Sequence, residues 1–227
     1  MRWLILNTGV YAFKKGLTPE QLQEDTINHE KLSSFNNFIF NRIAEFTQVA
    51  PASNSRLILD ASLPSWHESQ WPLAAIEDKQ IFSSVIITHN GFHNEIHVDQ
   101  HDVNPWTYGF FSFINADTFE CLQSPHNTFQ HGLFFPNHNF LLDFAKSNGI
   151  IEVLWKTSKI KHQTTPPLLI LKNYPSISHF GASFQISKAL FTQGHNLKYS
   201  DPSIIMTKTF SQHERIMKYD KKQKLKD

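Results

Sequence analysis

Apolar residues in this chain follow two different periods, and the change comes near residue 84. Before it, Leu32, Phe35, Ile39, Ile43 and Phe46 recur at steps of three and four, which predicts a helical stripe running to about residue 48. Thr18-Pro19-Glu20-Gln21 reads as a helix start, with Thr18 as N-cap, Pro19 at the first helical position and Gln21 closing a capping box. Breaks are expected near Asn28 or Ser33. Pro51-Ala52-Ser53-Asn54-Ser55 reads as a linker loop, and residues 62–72, with Trp66 and Trp71, as irregular structure.

From Ser84 onward the period is two. Val85 to Thr88 is β-branched, Asn90-Gly91 is a turn signal, and His93 to Asp99 alternates between two faces. His93, Glu95, His97 and Asp99 share one face; Asn94, Ile96 and Val98 share the other and are expected to pack on a sheet. Further strands are predicted at Tyr108 to Ile114, Gly132 to Phe135, Asn139 to Phe144, Ile150 to Trp155, Leu168 to Leu171 and Ala182 to Ile186, with a short helix over Ser187 to Leu197. Short strands separated by Asn, Pro, Gly and Asp predict a mainly β fold, a sandwich or jelly-roll, preceded by helices. The expected organisation is a helical and loop region over 1–80, a β core over 81–200 and an extension with a basic tail over 201–227.

Composition narrows the partners. The 227 residues suit one large domain, and 20 Phe with 5 Trp supply apolar bulk for its core. Charge is balanced, 21 Lys plus Arg against 20 Asp plus Glu, so no whole-chain basic field draws nucleic acid. Cys121 has no partner for an internal disulfide and reads as a small apolar residue. No apolar run is long enough to span a bilayer, and the chain is expected to be soluble and intracellular. The basic stretch from Lys218 to Lys226 reads as a solvated terminus, with phosphate contact or a nuclear signal as its other readings. Gly-rich phosphate loops, paired CxxC spacings and a GxSxG elbow are absent, which weighs against nucleotide hydrolases, zinc ribbons and serine esterases.

His97-Val98-Asp99 carries the candidate chemistry. A strand points both of its polar side chains to one face, and an imidazole and a carboxylate so placed are two thirds of a 2-His-1-carboxylate site for non-haem Fe(II). The triplet alone does not decide the matter, since the chain holds 13 His. The third ligand has to come from a distant strand, and His162, just beyond the strand-like Ile150 to Trp155, is the leading choice. His126, His131, His138 and His179 compete with it, and His93 with Glu95 is an alternative pair. The plain reading of the same face is a hydrated row on an exposed strand.

Taken together, His97-Val98-Asp99-Gln100-His101-Asp102, Pro105, Tyr108-Gly109, Phe134-Phe135-Pro136, Asp143, Val153-Leu154-Trp155, His162-Gln163-Thr164 and Gly181-Ala182-Ser183-Phe184-Gln185-Ile186 have a familiar order. Over roughly residues 80 to 195 the chain resembles the fungal TET-like, or TET/J-binding-protein-like, 2-oxoglutarate and Fe(II) oxygenase domain. The resemblance implies a double-stranded β-helix core, jelly-roll and cupin-like, with N-terminal helices against it. It makes His97, Asp99 and His162 the metal ligands and catalytic set, Fe(II) and 2-oxoglutarate the cofactors, and O2 a co-substrate. It also places the 2-oxoglutarate subsite at His179, Ser183 and Gln185. Members resembling this chain carry an arginine where His179 stands, to hold the distal carboxylate of 2-oxoglutarate through two parallel hydrogen bonds. Histidine lacks that fork and is mostly neutral at pH 7, and Lys172 or Lys188 are the cations that compensate if any does.

The resemblance implies hydroxylation of a C–H bond, with the methyl group of 5-methylcytosine or a related base in nucleic acid as substrate, and a nuclear location if that substrate is DNA. Phe110, Phe111, Phe113, Phe134 and Phe135 supply either an apolar wall for the site or plain core. Two other classes stand beside this one. The first is a decayed copy acting as a binding or scaffold protein, for which His179 speaks; the second is a cupin-like metal protein working without 2-oxoglutarate.

Overall fold

A computed structural model describes residues 5–7, 19–68, 79–122, 130–147, 149–167 and 176–199. The N-cap Thr18, His126, the strand expected at Leu168 to Leu171, Lys172 and the basic tail lie outside the described residues. The chain divides into two compact units, one over residues 1–6 and 85–185, the other over 7–84 and 186–227.

The second unit is helical. Helix α1 runs from Pro19 to Phe46 without a break at Asn28 or Ser33, α2 from Val49 to Ala61 and α3 from Lys188 to Lys198. The stripe on α1 forms in part: Ile39 and Ile43 are buried as expected and Asn36 joins them, whereas Phe35 and Phe46 are 44% and 49% exposed. Asn36 takes the inward position because it anchors a polar contact. Its Oδ1 accepts from Trp66 Nε1–H at 3.0 Å and its Nδ2 donates to the Lys79 carbonyl at 3.4 Å.

Residues 51–55, expected as a loop, are helical. Pro51 falls in the first turn of α2, where its missing N–H leaves no hydrogen bond unmade, and Ser53 Oγ donates to the Val49 carbonyl at 2.7 Å. Ala50, Asn54, Ile58 and Ala61 form the buried stripe, hidden from periodicity by a polar member.

The other unit is built from two antiparallel sheets. The larger follows the order β1(Ile5–Asn7), β2(Ser84–His89), β9(Ile177–Gln185), β3(Thr107–Asn115), β4(Cys121–Leu122), with β7(Ile151–Trp155) also paired to β3. The smaller follows β6(Phe140–Asp143), β5(Gly132–Phe135), β8(Gln163–Thr164). This is the mainly β jelly-roll core expected. Strand β3 is central, pairing Phe111 with Gly181 and Phe113 with His179 on one edge and Thr107 with Trp155 on the other. Phe111, Phe113, Leu133, Phe135, Phe144 and Trp155 form the core of this unit, so three of the five wall candidates are core side chains.

The stretch His93 to Asp99 is not a continuous strand. Asn94 N–H donates to the Thr164 carbonyl, His97 N–H to His162 and Asp99 N–H to Thr157. A turn over Lys156 to Ile160 lies within the partner segment and interrupts the ladder. Ile96, expected to pack on a sheet, is 49% exposed. The Asn90-Gly91 turn does form, both residues having positive φ.

Candidate metal centre

His97 and His162 face each other across a single two-way bridge, N–H to carbonyl at 3.0 and 2.9 Å. That register brings their rings to 4.5 Å between centroids. Asp99, two residues on, turns its carboxylate between them: Oδ1 is 3.2 Å from His97 Nε2 and Oδ2 is 3.8 Å from His162 Nε2. One donor atom from each residue lies within 4.8 Å of the other two.

Both imidazoles are oriented from behind. His97 Nδ1 lies 2.7 Å from the Glu95 carbonyl and His162 Nδ1 lies 2.9 Å from the Ile160 carbonyl. A carbonyl only accepts, so each Nδ1 carries the proton and each Nε2 keeps its lone pair for a metal. Trp155 packs its ring edge-on against His162 at 5.9 Å, and β3 makes room for it at Gly109, where a Cβ would stand 2.9 Å from the indole.

Electrostatics follow this geometry. Without a metal, the hydrogen bond to Asp99 raises the His97 pKa. Burial opposes charge on Asp99, but the His97 hydrogen bond and both imidazoles outweigh it, and the carboxyl is lowered. Burial lowers His162. Asp102 is pushed up to about 8, by its own burial first and by the Asp99 charge second, so it is neutral where Asp99 is charged.

A relay behind Asp99 gave no signal in the sequence. Asn104 Nδ2 donates to Thr107 Oγ1 at 2.7 Å, Thr107 Oγ1 lies 2.9 Å from Thr157 Oγ1, and the Thr157 hydroxyl bonds the Asp99 carboxylate. Asn104, Thr107 and Thr157 are all fully buried. Donation can run in one direction along this chain and end on the carboxylate. We expect Thr157→Val, which keeps the shape and removes the hydroxyl, to weaken metal binding by about 10–100-fold. Titrating Mn(II) into the two proteins checks this; equal affinities would separate the relay from the site.

The three donors border a cavity of about 120 Å³, also lined by Thr88, Asn94, Phe111, Trp155, Ser183 and Gln185. Of the expected 2-oxoglutarate residues, Ser183 and Gln185 therefore stand with the triad. His179 lies further along the same face of β9 and is fully buried. The other competitors of His162 for the third ligand position also stand elsewhere: His131 is enclosed in the core, and His138 is exposed on a short turn. His93 bonds the Gly91 carbonyl instead of joining Glu95 in a site, and among the described residues only His97, Asp99 and His162 gather as a metal group.

Two nitrogens and a carboxylate suit Fe(II), with coordination positions left over. Polar side chains on the cavity wall, Thr88, Asn94, Ser183 and Gln185, fit a small oxygen-rich co-substrate beside the metal. No Lys or Arg lines the cavity among the described residues, and Lys188 is exposed on α3. No helix among the described residues is long and apolar enough to cross a membrane.

No curated protein matches the chain at a significant level. The family model described as the Tet-like 2OG-Fe(II) oxygenase superfamily matches residues 12–167. That match covers more than half of the sequence, takes in all three donors, and agrees with a jelly-roll whose facing segments bring two histidines and an aspartate together: the chain belongs to the Tet-like 2OG-Fe(II) oxygenase superfamily.

Proposed function

We propose that this chain hydroxylates the methyl group of 5-methylcytosine or a related modified base in nucleic acid, with His97, Asp99 and His162 holding the iron. The observation that carries the reading is the convergence of three donor atoms within 4.8 Å, two of them lone pairs freed by backbone carbonyls. Bound Fe(II) with 2-oxoglutarate and O2 supplies the oxidation of a C–H bond, leaving succinate and CO2. The protein's own share is orientation. Glu95 and Ile160 fix the two rings, the Asn104–Thr107–Thr157 relay fixes the carboxylate, and Phe111 and Trp155 give the cavity water-excluding walls.

Support for a polyanionic substrate comes from the turn that precedes His162. Lys156, Lys159 and Lys161 fall within six residues there, Lys159 and Lys161 exposed and Lys156 over the Trp106 ring at 4.6 Å. These cations suit a phosphate backbone whose flipped base enters beside the metal. Reversing both exposed charges, Lys159→Glu with Lys161→Glu, is expected to weaken binding of methylated DNA and to flatten its salt dependence, by about 0.9 in log–log slope for each phosphate that the turn no longer neutralises. An unchanged slope in filter binding would remove this turn from the interface.

The direct test incubates the Fe(II)-loaded chain with 2-oxoglutarate, O2 and DNA containing 5-methylcytosine, and measures succinate and oxidised base. Succinate coupled to base oxidation is expected; succinate without it would sink the substrate assignment. One observation favours a second reading, a copy that kept the fold and lost turnover: fully buried His179 stands where an arginine is expected. That reading predicts metal binding with no succinate under any condition.

A further inference from the structure

Helix α1 carries more apolar surface than the chain covers. At 3.6 residues per turn, Asn36, Ile39 and Ile43 occupy one sector of the helix, and that sector is buried. Ile27, Phe35, Phe38 and Phe46 occupy the adjoining sector, roughly 100° wide, and are 44% to 51% exposed. Phe35 and Phe38 lean on each other, with ring centroids 5.4 Å apart, which joins them into one aromatic patch. A single exposed phenylalanine is ordinary. Four large apolar side chains along one sector of a 28-residue helix mark a contact surface.

Charge placed along the same sector says what that surface meets. Lys31 lies between Ile27 and Phe35 and is exposed, while Arg42 and Glu45, which pair with each other, lie between Phe38 and Phe46. Turned end for end about an axis beside Phe38, this order matches itself. In that register Phe38 meets Phe35 and Phe38 of a second copy, Lys31 meets Glu45, and Ile27 meets Phe46, every pair falling within one helical turn of the same alignment. Parallel alignment sets Lys31 against Lys31 and Glu45 against Glu45, which like-charge repulsion disfavours.

Size and net charge fit the same occupant. A half-exposed side chain of this bulk presents roughly 100 Å², and the stems of Lys31 and Arg42 bring the contribution of each copy to roughly 500 Å². Two copies then bury about 1,000 Å², the threshold of a specific interface and the range of a reversible one. A formal net charge of +1 sets up no long-range repulsion between copies. We propose that α1 is a self-association surface on which a second copy of this chain docks antiparallel, with Phe38 beside the twofold axis and Lys31 of each copy against Glu45 of the other. Such pairing needs neither metal nor substrate.

Sedimentation velocity and light scattering on the full chain in chelator, over roughly 1–200 μM, test this. A reversible dimer is expected, half dissociated at roughly 1–100 μM. Phe38→Glu, which sets two like charges beside the axis, should raise the Kd at least about 100-fold. It should leave far-ultraviolet dichroism unchanged, and also the Tm at concentrations where the unaltered chain is monomeric, because the half-exposed ring holds no core position. Lys31→Glu and Glu45→Lys should each weaken the dimer by about tenfold. An equimolar mixture of those two variants should nevertheless associate as tightly as the unaltered chain, since the mixed pair restores both contacts with the signs exchanged. A chain that stays monomeric throughout, or a dimer indifferent to Phe38→Glu, would overturn the proposal. Charge variants that associate as well as the unaltered chain, or a mixture no tighter than its components, would overturn the antiparallel register and the proposal with it. A monomer that melts lower with Phe38→Glu would assign the surface to another segment of this chain and overturn self-association.

Discussion

His162→Ala is expected to weaken Fe(II) binding by more than about 100-fold and to abolish succinate formation, a loss beyond the 10–100-fold that outer-shell changes cause. Two ligands would remain, the neighbours His97 and Asp99 on one segment. Their near side chains pair with each other at 3.2 Å when no third donor competes, and a pair held this way is a poor divalent site. His162 also has a packing role, being only 6% exposed and edge-on to Trp155, so alanine leaves a void as well. His162→Gln keeps most of that volume and removes the lone pair. Both variants should therefore lose metal while only alanine loses much thermal stability in chelator. Anaerobic Fe(II) titration and a succinate assay read the first effect, and succinate made at the unaltered rate by either variant would remove His162 from the site.

What sequence can show of such a site depends on how each residue is held. His97 and Asp99 were legible because their spacing is local and strand-like, even though the segment turned out to pair residue by residue and not as a ladder. His162 was legible as a leading choice, because it follows a recognisable β-branched strand and because the resemblance covers it. Asn104, Thr107 and Thr157 were not, since isolated buried polar residues in a loop, at a strand end and in a turn follow no period, and the two hydroxyls that meet are 50 residues apart. The same blindness explains α2: a stripe with Asn54 inside it and Pro51 at its start looks like a loop until packing decides. Strand β9 begins at Ile177, five residues before its expected start, because buried Ser178 and His179 break the apolar alternation there. Polar residues placed inward are thus both the least predictable elements of this fold and the ones nearest its chemistry.

Acid is expected to destabilise the metal-free chain through that same inward polarity, with His131 alone contributing about 3 kcal/mol by pH 4. Its ring takes a proton near 6.5 when unfolded but only near 4 when folded. Between those values the unfolded chain binds the extra proton, so stability is complete above 6.5 and falls as pH drops through the window. His179 and His162, both lowered first by burial, push the same way. Asp102 and His97 push against them, because each holds its proton more tightly in the folded chain. Comparing the chain with His131→Gln isolates one contribution from this sum. Urea unfolding in chelator at several pH values should give a variant whose stability falls less steeply, by about 1.4 kcal/mol per pH unit inside the window, whatever its stability at neutral pH. Parallel curves for the two proteins would mean that the His131 ring takes up its proton as readily in the folded chain as in the unfolded one, and burial would then not be what sets the acid limit of this core.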